Sequence, residues 1–145
     1  MRRFVQLVCL LLVISSVMTM PALAATDNMP RGSSYFTARL GYLHQTHATI
    51  FQVWGEVDAV DVMDKLGMSS ITVQRSSDNQ NWTDVKTYTK ENYPSMVTEN
   101  KAHYETYVTY VGTAGYYYRA KIWFYAKKGT GTAEYSYTTG SILLG

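Results

Sequence analysis

The chain has 145 residues, with 13 Lys plus Arg, 11 Asp plus Glu and a single cysteine, Cys9. That length suits one domain with a core of its own. The near-neutral balance excludes the broad positive field of a nucleic-acid binder, and one cysteine excludes an internal disulfide.

The N-terminus reads "MRRFVQLVCLLLVISSVMTMPALAAT". Arg2 and Arg3 form a short basic start. Phe4 to Val17 is apolar, interrupted mainly by Gln6 and Ser15-Ser16. Pro21 and Ala22-Leu23-Ala24 follow, with small residues where a signal peptidase reads. This is the layout of a secretory signal peptide, residues 1–24, cleaved after Ala24. The apolar run is shorter than the roughly 20 residues needed to span a bilayer. Cleavage removes Cys9, Arg2 and Arg3, which leaves 11 basic residues against 11 acidic ones. The expected product is a secreted, cysteine-free chain with no membrane span, held by its core alone.

Residues 25–34 include "TDNMPRGSS", polar with Pro30 and Gly32, and read as a flexible leader. The domain proper is expected over 35–145, where apolar residues recur with period two. "YFTARLGYLHQ" (35–45) predicts a first strand. In "ATIFQVWGEVDA" (48–59), Phe51, Val53 and Val57 share one parity, with Ile50 and Trp54 on the other. "AVDVMDKLGM" (59–68) predicts a helical turn ending at Gly67. "SSITVQRS" (69–76) buries Ile71 and Val73. Ser76 to Asn81 supply side chains that bond back to their own backbone in a turn. Trp82 opens the returning strand (82–89) and is expected to cover one end of the core.

"KENYPSMVTENKA" (90–102) reads as a polar connection. "HYETYVTYVG" (103–112) then places Tyr104, Thr106, Val108 and Tyr110 on one side. "GYYYRAKIWFYAKK" (115–128) turns Ile122 and Phe124 inward, with Tyr117, Arg119, Lys121, Trp123 and Tyr125 outward. "AEYSYTTGSILL" (133–144) closes the chain after a glycine turn. Thirteen tyrosines suit strands. The expected fold class is all-β, a single antiparallel β-sandwich of about seven strands.

"ITVQRSSDNQNWTDVKTY" resembles the strand–turn–Trp–strand hairpin of extracellular β-sandwich modules. "YVGTAGYYYRAKIWFYAKKGTGTAEYSYTT" is similar to the end of a fibronectin type III-like or immunoglobulin-like domain, and the resemblance implies that Tyr116 is a tyrosine corner. With "MDKLGMSSITVQRSSDNQNWTDVKTYT" and the signal peptide, residues 35–139 resemble a family of small exported proteins of Gram-positive bacteria. That resemblance implies a fold and an extracellular location, and carries over no catalytic or binding residue.

Catalytic motifs are missing: there is no G-x-S-x-G, no H-E-x-x-H and no phosphate-cradling glycine loop. His44 and His47 lie three apart on an expected strand and so point to opposite faces, which argues against a zinc pair even with His103 added. Glu56, Asp58, Asp61 and Asp64 are dense in carboxylates but lack the spacing of a calcium loop. No cofactor and no metal are expected, and no enzyme. The expected role is a secreted binding or adhesion module acting on a cell-surface glycan or envelope protein without a metal. Tyr117, Arg119, Lys121, Trp123 and Tyr125 are the candidate ligand-binding residues; Trp82 and Tyr116 are structural. The alternatives are a self-associating envelope protein that pairs through an edge strand and a small hydrolase. The chain itself does not specify an oligomeric state.

Overall fold

The computed structural model describes residues 34–145. The expected signal peptide and residues 25–33 of the expected leader lie outside the described residues. From Phe36 onward the chain forms seven strands: β1 (Phe36–His47), β2 (Ile50–Ser76), β3 (Thr83–Thr89), β4 (Val97–Val111), β5 (Tyr117–Lys128), β6 (Gly131–Thr138) and β7 (Ile142–Leu143). One 3₁₀ turn, Pro94–Met96, precedes β4. The strands make one antiparallel sheet curled into a half-barrel, with β1-β2-β5-β6 as its main path. The class is therefore all-β and antiparallel, and the facing layers of the sandwich pattern are two halves of the same sheet.

β2 joins the halves. Its first part pairs with β1 on one side and β4 on the other; its last part pairs with β5 and β3. Residues 65–67 pair with β4 and β5 at once. The strand bends so that its two parts face each other: Phe51 lies 5.3 Å from Tyr118, ring centroid to centroid. A Cβ added at Gly41 of β1 would sit 2.6 Å from Ile122 of β5. Phe51, Val53, Leu66, Met68, Ile71, Val73, Ile122 and Phe124 fill the space between the halves, and all are fully buried.

The bend explains where the sequence pattern misled. Segments 48–59 and 69–76 are one strand, and 59–68 between them is extended rather than helical. Register shifts interrupt pairing between Asp58 and Met63 and between Met68 and Ser70. Around them the buried positions step by three, Met63 to Leu66 and Met68 to Ile71. That spacing imitates a helical face, because a bulge changes which side of the sheet the next residue meets. Gly67 sits at φ +153° with a virtual Cβ 2.2 Å from the Met96 carbonyl oxygen, so no side chain fits where the halves join. Two other boundaries move as well. β4 begins at Val97, inside the expected polar connection, and the expected closing strand divides into β6 and the short β7.

The turn between β2 and β3 is built as expected. The Asp78 carboxylate accepts hydrogen bonds from the backbone N–H of Gln80 (2.9 Å) and Asn81 (2.8 Å), from Asn81 Nδ2 (2.6 Å) and from the Ser76 hydroxyl (2.7 Å). Asn79 takes the left-handed conformation, φ 59°. The backbone bond from Asn81 leads these donors in holding the Asp78 carboxyl far below its ordinary value, about 3.9. The unfolded chain therefore takes up this proton first on acidification. The turn's contribution should be complete above about pH 4 and disappear as pH falls toward the folded-state value. The stability difference between the wild type and Asp78→Asn, measured against pH, should narrow on the acid side; a constant difference would refute the turn's role.

The facing of β5 is tested by a pair of substitutions. Phe124 is fully buried and Lys121 exposed. Phe124→Ala should destabilise by about 3–5 kcal/mol in denaturant unfolding, and Lys121→Ala by no more than about 0.5 kcal/mol.

Candidate functional site

The sheet has two outer faces, one on each half. On the second half, β5 turns Tyr117, Arg119, Lys121, Trp123 and Tyr125 outward together, as alternation requires. Most of these groups already engage protein neighbours. The Arg119 guanidinium lies 4.3 Å from the Trp82 ring centroid, and its Nε donates to Gln74 Oε1 at 2.7 Å. Gln74 Nε2 donates in turn to Asp84 Oδ1 at 2.7 Å. Lys121 sits 5.5 Å over Trp123, and Lys90 sits 4.7 Å over Tyr125. Trp123 keeps 36% of its surface exposed. Tyr125 borders an open pocket of about 330 Å³ with Lys65, Lys90, Glu91 and Glu99.

Two structural expectations need correction here. Trp82 does not cover the end of the core; it lies on the outer face beneath Arg119, outside the buried cluster. The reason is parity: Trp82 immediately precedes β3, whose buried ring is Tyr88, an even number of residues later but across a register shift between Val73 and Gln74. Nor is Tyr116 the residue that locks the turn before β5. The Tyr118 hydroxyl accepts the Thr113 N–H at 2.8 Å, and Tyr118 is buried. Tyr116 instead packs against Arg75, 4.6 Å from guanidinium to ring centroid.

The outer face of the first half carries a cluster that strand-by-strand reading misses. Tyr42 of β1 pairs with Trp54 of β2, which pairs with Tyr107 of β4. The three side chains stand side by side across three strands. Tyr42 and Trp54 are parallel within 1°, centroids 6.1 Å apart; Trp54 and Tyr107 are 4.5 Å apart. Tyr42 remains 41% and Tyr107 45% exposed. Trp54 Nε1 donates to Gln52 Oε1 at 2.9 Å, which sets the indole's orientation. Exposed Leu40 and Val111 lie on the same face, one row toward Glu56 and two rows the other way. No cation covers these three rings among the described residues.

Adjacent rows of the same face bring together Glu56 and Asp58 of β2 with Glu105 and His103 of β4. Asp58 Oδ1 and His103 Nδ1 are 2.6 Å apart. That hydrogen bond raises the His103 ring above its ordinary value; desolvation opposes it, and the charges of Asp58, Glu56 and Glu105 add to the rise. The other carboxylates of the acidic stretch go elsewhere: Asp61 pairs with Lys128, and Asp64 accepts the Gly129 N–H at 2.7 Å. Among the described residues no helix is long and apolar enough to cross a membrane.

No family model matches this sequence, no curated protein is significantly similar to it, and no solved structure matches it.

The reassignment of the locking tyrosine has a direct test. Tyr118→Phe leaves a backbone N–H without its acceptor and should cost about 0.5–1.5 kcal/mol in denaturant unfolding. Tyr116→Phe should change stability by no more than about 0.5 kcal/mol. The reverse order would restore the original assignment.

Proposed function

We propose that this protein is a secreted, non-enzymatic binding module that holds a cell-surface glycan against the outer face of β1, β2 and β4. The observation that carries the proposal is the uncovered row of Tyr42, Trp54 and Tyr107. Exposed apolar surface flanked by polar groups marks interaction sites on soluble proteins. Sugars match such a surface because their C–H faces pack on aromatic rings while their hydroxyls need hydrogen-bond partners. Those partners stand in the neighbouring rows: His44, Gln52 and Thr109 on one side, Glu56 and Glu105 on the other. The rings sit on paired strands, so little conformational freedom is lost on binding. The exposed, open setting of the His103–Asp58 pair suits binding better than hydrolysis. Secretion rests on the signal-peptide pattern and on the resemblance to exported proteins of Gram-positive bacteria.

A second reading keeps the β5 face as the contact surface. It is favoured by the pocket at Tyr125 and the partial exposure of Trp123. The cations already seated on Trp82, Trp123 and Tyr125 favour the first face, since a ligand would have to displace them.

One experiment separates the two. Purified protein is sedimented with insoluble cell-wall polysaccharide, and the bound fraction is measured for each variant. The double variant Tyr42→Ala/Tyr107→Ala should remain folded by circular dichroism and lose at least about tenfold in affinity, about 1.4 kcal/mol. Trp123→Ala should bind as the wild type does. The opposite result moves the site to β5, and wild-type protein that stays in the supernatant sinks both readings.

A further inference from the structure

We infer that Glu56, Asp58 and His103 form a binding site for a divalent transition-metal ion of the zinc type. The inference does not require glycan binding, although Glu56 and Glu105 also stand among the polar partners of that reading. It starts from the pairing of β2 with β4. Glu56 and Asp58 are two apart on β2 and so share a face, and His103 lies directly opposite Asp58. One donor atom from each residue lies within 4.8 Å of the other two. Zinc binds imidazole nitrogen and carboxylate oxygen at about 2.0–2.2 Å. Small rotations of side chains that stand partly in solvent bring the three donors around one ion.

The donor set selects the metal. Calcium and magnesium favour all-oxygen surroundings, and calcium wants six to eight ligands, which a flat sheet face does not provide. An imidazole nitrogen beside two carboxylates favours zinc and its neighbours. The histidine is thus what separates this group from an ordinary acidic patch.

The charge arrangement points the same way. Glu105 faces Glu56 across the two strands, and like charges directly opposite one another are destabilising. Lys65, Lys90 and Lys128 make their salt bridges to Glu99, Glu91 and Asp61, and among the described residues none reaches Glu56 or Glu105. A dication between the strands would offset that repulsion, with Glu105 available as a fourth ligand. Backbone pairing holds all four residues at fixed positions on one face.

The other histidines serve as internal controls. His44 is paired with Gln52, six residues along β2 from Asp58, or roughly 20 Å at the rise of an extended strand. Titration of the untagged protein with zinc chloride, followed by calorimetry, should show one saturable site per chain. His103→Ala and Glu56→Gln should each weaken zinc at least about tenfold, the lower end of the loss seen even for groups that only support a ligand. Both side chains are at the surface, and circular dichroism checks that each variant folds. His44→Ala and His47→Ala should bind as the wild type does. The inference is overturned if zinc shows no saturable binding, if calcium chloride binds more tightly than zinc, or if the His44→Ala variant loses the site while His103→Ala keeps it.

Discussion

The backbone ladder of β2 is the constraint on which the rest of the structure depends. This one strand of 27 residues pairs with β1, β3, β4 and β5, while β6 and β7 attach through β5. Its buried N–H and C=O groups must find partners along the whole length. The two halves therefore cannot shift against each other without breaking a ladder. A one-residue slip in either half would also turn Phe51 and Val53, or Ile71 and Val73, out of the core. The bend that folds the sheet over is placed by the register shifts and by Gly67, where the Met96 carbonyl leaves no room for a side chain.

Curling one sheet rather than stacking two gives the outer faces different characters. On the second half, long cationic stems from β5 and the segment before β4 lie on the aromatic rings, and Arg119, Gln74 and Asp84 form a hydrogen-bonded chain. Much of that face's binding capacity is already used within the protein. On the first half, the outward positions of β1, β2 and β4 hold aromatic rings in one row and acidic groups with a histidine in the next two. A single sheet face thus carries an uncovered apolar row beside two rows rich in ligand atoms. The two proposals occupy neighbouring rows of that face and share Glu56 and Glu105, but the glycan reading rests on the three rings and the metal site on the Asp58–His103 pair.

Period-two alternation within single segments was enough to read the all-β antiparallel class. It also oriented Phe51, Val53, Ile71, Val73, Ile122 and Phe124 inward and the β5 aromatic and basic residues outward. Both follow from local geometry, because successive side chains of a strand point to opposite sides whatever it pairs with. The Asp78 turn was legible for the same reason: the bonds that the Asp78 carboxylate accepts come only from residues between Ser76 and Asn81.

Everything that depended on which strand lies beside which came from the tertiary structure. Residues 59–68 read as helical because a bulge and an α-turn both space apolar residues by three, and only pairing with β4 and β5 distinguishes them. Tyr42, Trp54 and Tyr107 lie on three different strands, 65 positions apart from first to last, so no window along the chain shows them as a row. His103 was weighed with His44 and His47 because sequence compares residues of one type, and Glu56 and Asp58 with Asp61 and Asp64 because sequence groups near neighbours. The antiparallel ladder instead set His103 against Asp58, 45 positions away. Thus the amino-acid order determined the strands and their inward faces, which are local properties. The fold alone decided the outer rows and their chemistry, since a row across a sheet exists only once the register between strands is set.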